Sequence, residues 1–429
     1  VQILMTAGQV VVGPAARRIT DGAVLVDGET IVAVGPRAEV QAQASPDAVS
    51  LDRPDGTLLP GLINAHVHLV FEPGHRAAAD IVTALRATSD VDLVLAMAGR
   101  ARRLLDGGVT TARDLGDRGG LSVHVRDAIA SGSVAGPRLL VATAPLTKPG
   151  GHCWFLGGEV DENGGLDENG GLDKNGGLDK NGDANGADRL RAAVRATAAA
   201  GADVVKVMAS GGQITEGGAD MWERQFDAEE LRVVVEEATG LGLPVAVHAH
   251  GSDSIADAVA AGVTTIEHCT WMSGPRASDF RPEVADAMAA AGIVACPASS
   301  GNWRPLAERV GRERVSALFG RLRTLADHGV GIVLGNDAGL NPFDGFGSVL
   351  RNWSDWGFTV AEVIDMATGR AADVLGLGDV TGRLRAGLAA DLLVVHGDPF
   401  TDADALTRID VVVARGRVHT PDRWPSLIE

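Results

Sequence analysis

His66 and His68 stand two residues apart in Asn64-Ala-His66-Val-His68, and the period of an extended chain puts both imidazoles on one face. Val245-Ala-Val-His248-Ala-His250 repeats the device, and Thr265-Ile-Glu-His268 closes another apolar run with a histidine. In Ala202-Asp-Val-Val-Lys206-Val-Met an ammonium stands among apolar neighbours. Burial there favours the neutral amine, which can add carbon dioxide to give a carbamate, an anion able to bridge two cations. Gly331-Ile-Val-Leu-Gly-Asn-Asp337 ends in a carboxylate. Each residue alone has an ordinary explanation: a polar strand end, a snorkelling lysine, a capping aspartate. Their joint occurrence on separate strands selects another reading. Four imidazoles, a carbamate and a carboxylate supply ligands for two borderline divalent ions, zinc first, with manganese or iron as alternatives, and leave positions open to water. Such a centre acidifies a bridging water and polarises a carbonyl, with Asp337 placed to take the proton and pass it to a leaving amine. His250, two residues beyond His248 on the same face, is expected to touch substrate or to orient the ligands.

These side chains need strands that end at one place. Buried apolar runs alternate with Ala-rich amphipathic segments, the pattern of a parallel sheet covered by helices. Eight strands are predicted: Leu58 to Leu69, Val109 to Leu115, Arg138 to Ala144, Asp203 to Ala209, Pro244 to His250, Thr264 to Thr270, Ile293 to Pro297 and Gly331 to Asp337. The fold class is therefore α/β, a (β/α)8 barrel of the TIM type over residues 57–379, whose catalytic groups belong at the C-terminal strand ends. An open doubly wound sheet is the alternative, but no Gly-x-Gly-x-x-Gly loop follows the first strand. Short strands at Gln9 to Val12, Gly22 to Val26 and Thr30 to Val34, and again at Leu392 to Val395 and Val411 to Ala414, predict a small discontinuous β-sandwich built from residues 1–56 and 380–429. A hexapeptide repeat, Asp161-Glu-Asn-Gly-Gly-Leu and its copies, interrupts the barrel at 161–186 and reads as a mobile flap. Asn181, Asp183, Asn185 and Gly186 imitate the start of a calcium loop, but Ala192 stands where its bidentate glutamate belongs.

With 45% apolar and 22% charged residues and 56 glycines, the 429-residue chain has a globular composition and can bury a large core. Its formal net charge of -18 opposes phosphate backbones and anionic lipid, so neither nucleic acid nor membrane is an expected partner. Three cysteines, Cys153, Cys269 and Cys296, form no disulfide framework. The first residues lack the pattern of a signal peptide, and no apolar run is long enough for a transmembrane helix. A cytoplasmic protein acting on a small-molecule substrate is expected, as a homo-oligomer.

The order His66-Val-His68, Lys206, His248, His268, Asp337 resembles the binuclear amidohydrolase superfamily, over nearly the whole chain. Leu59-Pro-Gly-Leu-Ile-Asn-Ala-His66 and the closing Gly382 to Asp391 stretch belong to the same resemblance. Thr147-Lys-Pro-Gly-Gly-His152, Lys206-Val-Met-Ala-Ser-Gly-Gly212 and His248-Ala-His250-Gly look like the imidazolonepropionase-related branch, which holds Xaa-Pro dipeptidases and ochratoxin-type amidases. The resemblance implies one metal on His66, His68 and Asp337, a second on His248 and His268, a bridging carboxylated Lys206, and a substrate-contacting His152. It departs at His250, where some dipeptidase relatives carry a tyrosine for the substrate carboxylate; this chain has no tyrosine. Arg76, Arg113, Arg224 and Arg304 are candidates to meet a carboxylate instead. The expected reaction is hydrolysis of an amide bond in an N-acyl amino acid or dipeptide. Opening of a cyclic amide or imidazolone is second; a mononuclear deaminase and a non-catalytic scaffold are the readings from other classes. A deaminase would place a glutamate after the fifth-strand histidine, where Ala249-His250 stands.

Overall fold

The computed structural model describes residues 1–74, 78–160, 186–275, 277–298, 303, 307–308 and 311–421. In chain order its strands are β1 (Gln2–Val11), β2 (Arg18–Asp27), β3 (Thr30–Pro36), β4 (Val49–Pro60), β5 (Leu62–Val67), β6 (Val109–Asp114), β7 (Arg138–Val141), β8 (Val205–Met208), β9 (Val245–Gly251), β10 (Thr265–Met272), β11 (Val294–Cys296), β12 (Leu392–His396), β13 (Ile409–Ala414) and β14 (Arg417–His419). The hexapeptide repeat, and with it the expected flap and the calcium-loop imitation, lies outside the described residues except for Gly186.

Strands from both ends of the chain pair into one seven-stranded sheet, ordered β14-β13-β12-β4-β1-β2-β3. β12 runs antiparallel to β4 with Leu392 opposite Pro60, which ties the C-terminal segment to the N-terminal one. Alternate residues of this sheet, among them Met5, Val24, Val26, Leu58, Leu392, Val394 and Val413, share one buried cluster, as the period of two requires.

The middle of the chain forms two parallel sheets, β5-β6-β7 and β11-β10-β9-β8, with helices between successive strands. Local sequence fixes those helices. Ser89 accepts the amide of Asp92 at the start of Asp90–Asp106, and Asp227 with Glu230 makes a reciprocal capping box for Ala228–Gly240. Single parallel bridges join Leu146, just beyond β7, to Val207 of β8, and attach the segment around residues 332–338 to both sheets, Ile332 to Ala295 of β11 and Ala338 to Val67 of β5. Their helix-facing sides pack into one large apolar core that includes Val109, Val141, Val207, Val247 and Ile266.

Two expected strands differ in form. The run from Leu58 to Leu69 is not one strand: β4 ends at Pro60, Gly61 donates to Asp391 O at 2.9 Å, and β5 begins at Leu62. An unbroken apolar run carries no mark of a change of pairing partner. Gly61 is the available signal, since a Cβ there would stand 2.0 Å from Thr110 Oγ1. The terminal sheet thus extends through Pro60 rather than stopping at residue 56. The eighth strand, Gly331 to Asp337, pairs only in places, with Val333 N on Ala295 O at 3.1 Å and Asp337 N on His66 O at 3.0 Å. Gly335 lies directly against the backbone of β5, where a Cβ would stand 2.5 Å from His66 Cβ, and Asp337 has φ +54°. Regular extended geometry gives way at the residue that must turn inward.

Candidate metal centre

β5 delivers His66, and His68 follows it. Their Nε2 atoms lie 3.2 Å apart, and each stands close to Asp337 Oδ1, at 3.5 Å from His66 and 3.4 Å from His68. These three side chains form one compact group of metal-ligand type. A second group comprises His248 and His250 from β9 and His268 from β10. In it the ring centroids are separated by 4.7 Å between His248 and His250, 4.6 Å between His248 and His268, and 4.5 Å between His250 and His268. The two groups adjoin, His66 and His268 lying 5.1 Å apart. His250 therefore sits among the second group of imidazoles rather than behind it.

The period of two does not by itself bring His268 here. Thr265 and Glu267 point into the same interior, so strict alternation would send His268 outward. His268 instead has φ +65° and Cys269 φ +51°, and the pairing with β9 shifts register after His268. This left-handed kink turns consecutive residues toward the centre, a departure from regular geometry of the kind found at functional sites.

Hydrogen bonds fix which ring nitrogens are free. His68 Nδ1 donates to Gly116 O at 3.0 Å, and His248 Nε2 donates to Gly211 O at 3.0 Å; a carbonyl only accepts, so each proton sits on that nitrogen. His68 Nε2 and His248 Nδ1 are left with lone pairs. Burial pushes the pKa of His68, His248 and His268 well below the ordinary imidazole value, with neighbouring histidines and Lys206 adding to the effect. Neutral imidazoles converging on a carboxylate are the donor set for a divalent cation.

Lys206, on β8, is 1% exposed and its Nζ has no hydrogen-bond partner. Burial brings its pKa down from 10.5 to about 8, while Glu267 opposes the shift and Arg113 reinforces it. Asp337 Oδ1 is likewise buried without a hydrogen bond, and burial raises the acid's pKa despite His66 and Lys206 nearby. An unpaired buried amine and an unpaired buried carboxylate oxygen beside five imidazoles are unsatisfied as they stand. Divalent ions, and a carboxylate on the amine, would satisfy them, so the residues fit the group that the sequence leads one to expect.

His152 is buried with its ring centroid 4.6 Å from that of His248, and its Nδ1 lies 3.1 Å from Thr215 Oγ1. His250 is held in the same manner, its Nδ1 2.9 Å from Thr270 Oγ1. Burial brings both pKa values to about 3, with Lys206 contributing in each case. The sequence places both histidines at the centre but gives no sign of the hydroxyls that orient them.

The arginines fall elsewhere. Arg113 meets a carboxylate, but it is Glu267, at 2.8 Å, and both side chains are buried. Its guanidinium is thus already engaged, which removes it from the candidates for a substrate carboxylate. Arg224 pairs with Asp257 at 2.7 Å; Arg76 and Arg304 lie outside the described residues. Glu267 itself escapes the motif reading, although a charged residue inside an apolar strand is the same signal that singles out Lys206. The three cysteines are free and buried. Among the described residues no helix is long and apolar enough to cross a membrane.

The profile of the amidohydrolase family matches residues 57–419, and that of an imidazolonepropionase-like composite domain of bacteria matches residues 22–44. An ochratoxinase of Aspergillus niger is 29% identical over 402 residues, covering 90% of this chain and 79% of that one. An imidazolonepropionase of Chloroflexus aggregans is 26% identical over 425 residues, covering 90% and 88%. Among solved structures, a Xaa-Pro dipeptidase with methionine bound in its active site superposes with a TM-score of 0.79 at 28% identity, covering 98% of this chain and all of the other. The architecture is thus TIM-barrel-like α/β, and from a match that spans most of its length the chain belongs to the amidohydrolase family, hydrolases of carbon–nitrogen bonds.

Proposed function

We propose that the chain is a metal-dependent hydrolase that cleaves the amide bond of a small molecule, such as an N-acyl amino acid or a dipeptide. His66, His68 and Asp337 would hold one divalent ion, His248 and His268 a second, and Lys206, once carboxylated, would supply the anionic ligand shared by the two. The observation that supports this most directly is the convergence of His66, His68 and Asp337, with the unpartnered Lys206 amine near enough to act on His68 and Asp337 electrostatically. When bound, two ions of the zinc type polarise a carbonyl and bring a water toward its conjugate base at neutral pH. Asp337 is the residue to take the proton of the attacking water and return it to the departing nitrogen. His152 and His250, kept neutral by burial, are placed to contact the substrate on the side of His248. The two parallel sheets and the Gly331 to Asp337 segment are read as one closed eight-stranded barrel, for which the bridges at Leu146, Ala295 and Val67 are the support, with the seven-stranded sheet as a separate small domain curled into a sandwich.

The names of the ochratoxinase and the Xaa-Pro dipeptidase support the amide reading; the imidazolonepropionase keeps opening of a cyclic amide as the alternative. The test is a screen of the zinc-loaded protein against N-acyl amino acids, dipeptides and cyclic amides, with bound metal measured in parallel. Release of a free amine from a linear substrate is expected. Turnover confined to cyclic amides would overturn the linear reading, and a protein that retains no divalent ion would overturn both.

A further inference from the structure

Against the back of His66 lies a buried polar network that contributes nothing to either ligand group proposed above. Glu267 is 0% exposed. Its Oε2 faces His66 Nδ1 at 2.7 Å, while its Oε1 accepts from Arg113 Nη2 at 2.8 Å and from Thr265 Oγ1 at 2.6 Å. Arg113 is 2% exposed and also donates its Nε to Ala65 O at 2.8 Å and its Nη1 to Thr265 Oγ1 at 3.1 Å. The network ties β5, β6 and β10 together across the interior, and its anchor on β5 is the carbonyl immediately before His66.

A buried ion pair is an expensive way to hold strands together, since well-packed apolar groups do so at least as well. What it provides that apolar groups cannot is a defined proton. A guanidinium stays charged, and a carboxylate bonded to it only accepts. His66 must therefore carry its proton on Nδ1, and its lone pair sits on Nε2, the nitrogen that faces His68 and Asp337. The planar fork of Arg113, clamped on Ala65, fixes the height of Glu267 and with it the plane of the His66 ring.

We infer that Glu267, held by Arg113 and Thr265, is a positioning residue for the metal centre: it sets the tautomer and orientation of His66, so that the affinity of the His66, His68 and Asp337 group for a divalent cation depends on it. This rests on the reading that the group holds metal. The test is titration of the chelator-treated full-length protein with cobalt(II), following visible ligand-field absorption, against a competing chelator. Wild type and Glu267→Gln, which keeps the volume and removes the charge, are compared, with thermal unfolding measured alongside. Glu267→Gln is expected to weaken cobalt binding at one of the two sites by about 10–100-fold and to alter the absorption of that site, while the second keeps its wild-type affinity. Wild-type affinity and spectrum in Glu267→Gln, whatever its stability, would overturn the inference. Wild-type protein that binds no cobalt would instead overturn the metal reading on which it rests. Should Glu267→Gln fail to fold, Thr265→Val, which removes one bond to Glu267 and leaves His66 untouched, takes its place; weaker cobalt binding supports the inference and unchanged binding overturns it.

Discussion

An ammonium buried without a hydrogen-bond partner, as Lys206 is, is held at a cost that the rest of the fold must offset. Its pKa of about 8 in the folded chain, against an ordinary 10.5, gives the sign. Below about pH 8 both folded and unfolded chains carry the proton and the folding penalty is complete. Between about 8 and 10.5 only the unfolded chain binds it, so stability rises with pH and levels off above. The shift corresponds to on the order of 3 kcal/mol. The metal-free protein is thus expected to gain stability from pH 8 to 10.5, and Lys206→Met to be more stable than wild type at pH 7.5 and flat across that window; urea unfolding at several pH values checks it. The same substitution should remove most bound metal and nearly all activity, and full metal content with normal turnover would refute the bridging role. Asp337 is the complementary case. Asp337→Asn should lower kcat by about 100-fold or more with the melting temperature retained, and a rate within a few-fold of wild type would eliminate Asp337 as the base.

At the scale of elements, the candidate centre forms because β5, β8, β9 and β10 and the Gly331 to Asp337 segment bring their ends together. Two glycines set how closely they approach. Gly335 leaves no space beside His66, where an added Cβ would stand 2.5 Å from His66 Cβ and 2.9 Å from its backbone nitrogen. Gly335→Ala should push two backbones apart and cost about 1–3 kcal/mol in urea unfolding, together with metal affinity. Gly212 presses instead on a side chain, an added Cβ meeting His152 Cε1 at 2.2 Å. Gly212→Ala should therefore displace His152 and raise KM or lower kcat while metal content and unfolding midpoint stay near wild type. Equal losses of stability in the two variants would contradict this distinction. The apolar runs marked these strands well, because a strand covered on both sides is apolar throughout. They could not show that Leu58 to Pro60 pair with the terminal sheet and that Leu62 begins a different one. Nor could they show that β10 leaves regular geometry at His268, since a kink at a non-glycine residue leaves no trace in hydrophobic periodicity.

The whole molecule gathers many neutral imidazoles in its interior, and it is expected to lose stability in acid for that reason. His152 and His250 have folded pKa values of about 3, lowered by burial first. Their depressed values contribute stability that is complete above the ordinary imidazole pKa of about 6.5. That stability is lost as pH falls toward 3, because only the unfolded chain takes up the protons. The urea midpoint of the metal-free protein should fall steeply from pH 7 to pH 4, with a shallower slope in the His152→Gln, His250→Gln double variant; an unchanged slope would show that other groups govern acid unfolding.

What the sequence determined by itself was the candidate chemistry: histidines, a lysine and an aspartate at the ends of apolar runs are the residue types of a cation-binding hydrolytic centre, and few other functions explain so many polar groups on buried strands. The alternation of strands and helices specified the α/β class for the same reason, that burial patterns follow period. What only the tertiary structure decided were the partners of those groups. Arg113 finds Glu267 rather than a ligand, His250 joins His248 and His268, and the carbonyls of Gly116 and Gly211 choose the free nitrogens of two histidines. Hydrogen bonds between residues far apart in the chain depend on where strands meet, and residue order carries no record of that meeting.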